Sequence, residues 1–250
     1  MSRFAVIIPA AGRSSRFGGM EKKPFVSLDG RPVWQRAAEP FWTRDDVSKV
    51  YLVIAPEDRD DFRRRFGHLI AFANAEVVNG GAERFESVAN ALACVPDTVP
   101  FVAVHDAVRP LTTTPLVDAV FKAAETHGAV MLAVPVADTL KEVDPKTKCI
   151  TNTVPRDGLW QAQTPQVFRR DWLVEAYAKR TSITAAITDD AQLMEAIGHP
   201  AVVVPGSSAN FKITTKDDLD LADAVLKARA AKGGGTPRRS AGPFDDEPKW

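Results

Sequence analysis

The sequence predicts an α/β fold of three layers, with helices on both sides of a mostly parallel sheet and one β-arm projecting from the body. Three observations carry this. Apolar or β-branched runs recur at Phe4–Ile8, Val50–Ile54, Glu76–Val78, Phe101–His105, Ala129–Val134 and Ala201–Val204. Stretches with helical spacing of apolar residues lie between most of them. The linkers joining the two kinds of segment are short, and strands alternating with helices in this way build a doubly covered, Rossmann-like sheet.

Taken in order, Phe4–Ile8 reads as a buried first strand. Pro32 opens a helix over Arg31–Phe41, and Pro56 precedes the charged helix Glu57–Phe66. The turn Asn79-Gly80-Gly81 leads into a helix over Glu83–Ala93. Thr114-Pro115 supplies a cap and a first-turn proline for a helix reaching about His127. Near the end, Thr215 stands three residues before Asp218, a short form of the capping box. Leu219, Leu221, Ala222, Val225 and Leu226 follow as an apolar stripe. There is no internal repeat.

Two regions depart from the alternation. Residues 137–157 are polar and β-branched around Asp144-Pro145-Lys146, the pattern of a hairpin that needs a partner surface to be stable. From Lys232 onward the chain is rich in Gly and Pro with mixed charge, a tail expected to be mobile. The expected organisation is therefore one domain over 1–231, with an arm at about 137–157 and a tail over 232–250.

Composition narrows the function classes. The 250 residues carry 32 basic and 32 acidic side chains, so nothing global draws the protein to a nucleic acid or an anionic membrane. No apolar segment approaches membrane-spanning length, and the first apolar run is too short for a signal peptide. Cys94 and Cys149 make neither a metal motif nor a disulfide framework with the four scattered histidines, which leaves the cytoplasm as the expected compartment.

A polyanion site must then be local, and residues 9–25, PAAGRSSRFGGMEKKPF, offer one. Gly12, Gly18 and Gly19 let backbone N–H groups approach phosphates, while Arg13, Arg16, Lys22 and Lys23 offset their charge. A glycine turn flanked by solvated cations would carry the same letters. In open α/β sheets, however, ligands bind outside the carboxyl ends of the strands, and the loops starting at Pro9, Asn79 and Asp106 all fall there.

Those loops carry the motifs PAAGRSSRFG with Lys23 and Phe25, GGAER with Ser87, and HDAVRP. Further along come PVADT, GLW with TPQ, TDD and NFKIT. Over residues 3–231 this set resembles the 2-C-methyl-D-erythritol 4-phosphate cytidylyltransferases of the non-mevalonate isoprenoid pathway. The first motif alone would indicate only a nucleotidyltransferase of the nucleotide-diphospho-sugar transferase type; HDAVRP, GLWQAQTPQ and Lys212 narrow it. The chain departs from the family pattern at Ser14, Phe17, Lys22, Pro24 and Ala82.

The resemblance implies transfer of CMP from CTP to a polyol phosphate, with the substrate phosphate itself attacking the α-phosphorus in line and pyrophosphate leaving. The protein's task is to hold two anions together and offset developing charge. Arg16 and Lys23 match the charge-stabilising pair, a role their chemistry also suggests. Pro9, Ala10, Ala11, Gly12, Gly81, Ala82 and Ser87 match the cytidine-bordering positions, although Gly80-Gly81 would equally suit a turn needing positive φ. Asp106 is expected near a metal or the polyol, or else as a turn residue accepting backbone donors. Arg109 is expected to pair with Asp106 or to face the incoming phosphate. Arg156 and Lys212 match the cations that hold the acceptor phosphate, and Thr139 and Thr164 match hydroxyls on the polyol side. His105 reads as structural. Mg²⁺ or another divalent cation would bridge the triphosphate with little protein ligation. The family's arm crosses to a neighbouring subunit, which implies a homodimer with Thr139 and Arg156 completing the partner's site. A ribitol 5-phosphate cytidylyltransferase, a nucleotidyltransferase for another base and a catalytically silent nucleotide-binding regulator are the competing readings.

Overall fold

Alternation of inward and outward apolar residues along the first strand sets the architecture. The computed structural model describes residues 3–12, 22–180 and 187–233. Strand β1 (Phe4–Pro9) sends Phe4, Val6 and Ile8 into one core and Ala5 and Ile7 into another. A strand buried on both faces belongs in the middle of a covered sheet. Strands β4 (Val47–Ile54), β5 (Ala75–Asn79), β6 (Phe101–Val104), β7 (Ala129–Pro135), β10 (Trp160–Arg169) and β11 (Val202–Pro205) complete a seven-stranded sheet in the order β11-β7-β10-β6-β1-β4-β5. Only β10 runs antiparallel to its neighbours β6 and β7.

Helices α1 (Val33–Trp42), α2 (Arg59–Ala71) and α4 (Thr114–His127) cover one face, through Trp34, Phe41, Phe62 and Phe121 among others. Helices α3 (Arg84–Leu92), α5 (Arg170–Ala178) and α6 (Asp190–Ala196) cover the other, through Val88, Leu92, Leu173 and Met194. The predicted three-layer sandwich is therefore the observed fold. A third small core joins the ribbon β2 (Ser27–Leu28) and β3 (Arg31–Pro32) to helix α7 (Lys216–Gly233) through Leu28, Ile213 and Ala222.

The start of α7 carries the reciprocal cap its sequence suggested: Thr215 N–H donates to Asp218 Oδ2 at 2.8 Å, and Asp218 N–H donates to Thr215 Oγ1 at 3.2 Å. Several details differ from the sequence reading. Arg31 and Pro32 lie in β3, and the helix begins at Val33. The cap before α4 is Thr113, one residue earlier than expected. Leu221 leaves the apolar stripe and is exposed, because α7 meets the core only along Leu219, Ala222, Val225 and Leu226. Helix α7 runs through Gly233, two residues into the expected tail, and the rest of that tail lies outside the described residues.

The expected hairpin is present as β8 (Leu140–Val143) paired antiparallel with β9 (Ile150–Val154), a two-stranded sheet separate from the main one. Its turn is built on Asp144, whose Oδ1 accepts from the backbone N–H of Lys146 at 2.9 Å and of Thr147 at 2.7 Å. Ile150 is 61% exposed and Trp160, at the arm's root, 46%.

Candidate active site

The carboxyl ends of β1, β5 and β6 open on a cavity of about 580 Å³. Two backbone segments form its walls. Pro9–Gly12 leaves β1, with Ala10 N–H donating to Val53 O at 2.8 Å, and Gly80–Glu83 leaves β5, with Gly80 N–H donating to Ile54 O at 2.8 Å. The second segment is locked to α3. Gly81 N–H donates to Ser87 Oγ at 3.1 Å, Ser87 Oγ donates to Glu83 O at 3.1 Å, and Glu86 Oε2 accepts from Ala82 N–H at 2.6 Å. Glycine is needed here for close approach. A Cβ on Gly80 would meet Ala11 Cβ at 2.7 Å, and one on Gly81 would meet Glu86 Cβ at 2.3 Å. Neither has positive φ, so the turn conformation expected from Gly80-Gly81 is not what fixes them.

Lys23 enters the same cavity from the short 3-10 turn Lys23–Phe25. Phe25 is buried behind it, its ring 5.9 Å from that of Phe62 and 6.1 Å from that of Phe66. The aromatic cluster thus holds the base of the lysine against the body. The neighbouring Lys22, grouped with the phosphate-offsetting cations on sequence, instead pairs with Asp58 at 2.5 Å and lines neither this cavity nor the smaller one beside it.

At the floor lies a cluster of charge. Asp106, just past β6, is buried, and its Oδ2 is 2.9 Å from Lys212 Nζ and 3.4 Å from Arg109 Nε. Its Oδ1 is 4.0 Å from Arg84 Nη2. Burial alone would raise the carboxyl, but Lys212, Arg84 and Arg109 outweigh it and hold Asp106 ionised well below the usual carboxylate range. The carboxylate engages cations rather than accepting backbone donors, as a turn residue would. Arg109 also donates from Nη1 to Asn210 O at 2.7 Å and from Nη2 to Ala162 O at 3.2 Å. Its guanidinium is therefore paired with Asp106 while it lines a second, adjoining cavity of about 220 Å³.

His105 beneath this cluster is fully buried. Its Nδ1 lies 3.1 Å from Thr164 Oγ1 and its Nε2 lies 3.2 Å from Arg109 O. Burial pushes its pKa down to about 4, so at neutral pH it is an uncharged structural bracket, as expected. Thr164 Oγ1 in turn accepts from Asp106 N–H at 3.0 Å, which ties β10 to the loop after β6.

The structure brings together most of the predicted residues. Pro9, Ala10, Ala11, Gly12, Lys23, Gly81, Ala82, Ser87, Asp106 and Lys212 line the larger cavity; Arg109 and Thr164 line the smaller, with Asp106 and Lys212 bordering both. Thr139 and Arg156 line neither. Both are exposed at the arm, where Arg156 donates to Ala137 O. Arg16 and Arg13 lie outside the described residues.

Three residues were given no role from sequence. Arg84 borders both cavities and pairs with Asp190 at 2.8 Å. Asp190 is 1% exposed and also accepts from Tyr177 Oη at 2.5 Å. Arg84 and Asp190 stood inside the GGAER and TDD motifs, whereas nothing in the sequence marked Tyr177.

Among the described residues no group of three or more His, Cys, Asp or Glu is placed to hold a metal ion. Asp106 is nonetheless an ionised carboxylate on the cavity wall. A single oxygen ligand of this kind suits a hard divalent cation that takes its other ligands from phosphates and water.

This geometry can be compared with known proteins. The family model described as 2-C-methyl-D-erythritol 4-phosphate cytidylyltransferase matches residues 4–228. The chain belongs to this family. The cytidylyltransferase of Frankia casuarinae is 45% identical over 90% of this chain and 81% of its own length. That of Rhodopirellula baltica is 42% identical over 89% of this chain and 94% of its own. Among solved structures, the Francisella tularensis cytidylyltransferase superposes with a TM-score of 0.76 at 31% identity, covering 89% of this chain and 99% of that one.

Proposed function

We propose that the larger cavity binds CTP and the adjoining one the acceptor phosphate. The chain transfers CMP from CTP to 2-C-methyl-D-erythritol 4-phosphate, releasing pyrophosphate. The observation that carries the site assignment is the meeting of the two cavities at one charged floor, Asp106 with Lys212 and Arg84. Two polyanions laid in adjoining cavities would meet where those cations stand.

Pro9–Gly12 and Gly81–Ser87 border the cytidine through backbone atoms, so the Ala82 departure from the family pattern costs a side-chain contact but leaves the wall intact. Lys23, with Arg16, offsets charge on the α-phosphate and the bridging oxygen as pyrophosphate departs. Lys212 and Arg109 hold the acceptor side with Thr164. No protein nucleophile or general base is required, because the attacking group is already an oxyanion, and the buried neutral His105 is consistent with that. Mg²⁺ would supply charge neutralisation across the triphosphate, with Asp106 as its protein ligand.

Thr139 and Arg156 stand apart from both cavities of their own chain, and the arm that carries them presents apolar side chains to solvent. Both facts support a homodimer in which each arm completes the other chain's acceptor site. No helix among the described residues is long and apolar enough to cross a membrane. The two free cysteines favour the cytoplasm.

Pyrophosphate release with Mg²⁺ tests the reading. CTP should far exceed UTP, and methylerythritol phosphate should exceed ribitol 5-phosphate. Equal use of CTP and UTP would refute the assignment of residues 80–87, and preference for ribitol 5-phosphate would refute the acceptor assignment. No release with any acceptor would favour the silent nucleotide-binding reading.

A further inference from the structure

Arg84 is held in an unusual way for a cation on a cavity wall. It is the first residue of α3, and its guanidinium borders the nucleotide cavity and the acceptor cavity at once. Behind it, Asp190 is almost completely buried at the start of α6 and spends both carboxylate oxygens on this surface. Oδ2 accepts from Arg84 Nη2 at 2.8 Å and Oδ1 accepts from Tyr177 Oη at 2.5 Å. Three helices, α3 and the later, consecutive α5 and α6, thereby converge on the Asp190 side chain.

A buried carboxylate is costly unless fully paired, and stability alone would be served as well by apolar residues in its place. What this arrangement does supply is aim. The floor holds three cations, Arg84, Arg109 and Lys212, against the carboxylates Asp106 and Asp190. Arg109 is already tied to two carbonyls, and Lys212 to Asp106. Arg84 lies 4.0 Å from Asp106, beyond hydrogen-bond distance, so Asp190 is the carboxylate that fixes its orientation.

We infer that Arg84 contacts both phosphates at the junction of the two cavities, and that Asp190 and Tyr177 are positioning residues that fix its guanidinium there. This rests on the site assignment above. Arginine suits the task because its planar fork presents donors in two directions. Tyr177 remains neutral, because burial and Asp190 both push its phenol upward, and so it always donates.

The test is a cycle of Arg84→Ala, Asp190→Asn, their combination and Tyr177→Phe, each followed by steady-state kinetics and thermal melting. Asp190→Asn should lower kcat/KM for the acceptor on the order of tenfold to a hundredfold and weaken calorimetric CTP binding by a smaller factor, because CTP keeps its other contacts. Tyr177→Phe, which keeps the packing, should lower it by about threefold to tenfold. In the Arg84→Ala background, Asp190→Asn should leave kcat/KM unchanged yet raise the melting temperature, because it removes an orphaned buried charge. A merely structural Asp190 would not show this opposite pair of responses. Wild-type-like acceptor kinetics in Asp190→Asn and Tyr177→Phe, or additive kinetic losses in the double variant, would overturn the inference while leaving the cytidylyltransferase reading intact. Absence of pyrophosphate release from the unaltered protein would instead overturn the site assignment on which the inference rests.

Discussion

The two halves of the candidate site are built differently. The nucleotide half is made of backbone leaving β1 and β5, locked by Gly80, Gly81, Ser87 and Glu86 at contact distances that admit no Cβ, and it lies within one chain. The acceptor half is divided. Asp106, Arg109, Thr164 and Lys212 sit on the rigid floor, whereas Thr139 and Arg156 ride on an arm that forms its own small sheet and stands in neither cavity. Invariant chemistry on a common nucleotide can be set in the body of a fold. In the proposed assignment, recognition of the second substrate would fall in part to an arm whose position depends on what it docks against.

The largest effect that would break this contrast comes from Lys23. Lys23→Ala should cost roughly 3 kcal/mol of transition-state stabilisation, about a hundredfold in kcat, with a much smaller change in CTP affinity. Lost CTP affinity with kcat unchanged would mean that Lys23 only binds nucleotide. The next largest effect concerns acid. His105 is held neutral in the fold, with a pKa lowered from 6.5 to about 4, so the unfolded chain takes the proton first. Stability is therefore complete above pH 6.5 and should fall by roughly 3 kcal/mol as pH drops towards 4. Asp106, with its depressed carboxyl, adds a further loss only at still lower pH. Urea unfolding across this range should show the slope, and His105→Gln should flatten it.

The sequence made most of this legible where chemistry repeats along the chain. Periodicity exposed six strands of the sheet, and short glycine-rich and charged motifs marked the loops after β1, β5 and β6 at its carboxyl edge, though not the loop after β4 that also lines the cavity. It hid β10, because Gln161, Gln163, Thr164 and Pro165 interrupt any alternation. Gln161 is exposed, while Gln163, Thr164 and Pro165 lie at an irregularity in the pairing with β7, a place where proline is tolerated in a strand, and Gln163 and Thr164 join a buried polar network rather than a core. The Tyr177–Asp190–Arg84 contacts were equally invisible. Arg84 and Asp190 lie far apart in the chain, and Tyr177 joins them from a neighbouring helix by side-chain geometry alone.

Smaller effects sharpen the acceptor side. Arg156→Ala removes one charge-assisted contact to a phosphate, so the acceptor KM should rise about tenfold while calorimetric CTP binding stays the same. A change in CTP binding of similar size would erase the division between the two halves. Smallest of all, Lys22→Ala should stay within about twofold of the unaltered protein in kcat/KM. Lys22 lines neither cavity and its charge is engaged by the part-buried Asp58, so it has no direct contact with either substrate to lose.

The division of the site between a body and a neighbour's arm is tested most directly by mixing two defective proteins. Lys23→Ala damages the body and Arg156→Ala the arm, so a mixed dimer holds one site in which both are intact. Unfolding the two variants together, refolding them, and assaying pyrophosphate release at saturating CTP and limiting acceptor should restore about a quarter of the unaltered protein's activity, the share expected when random pairing gives one whole site in half of the dimers. Activity no greater than the average of the two variants assayed separately would mean that each arm serves its own chain, and would contradict the account.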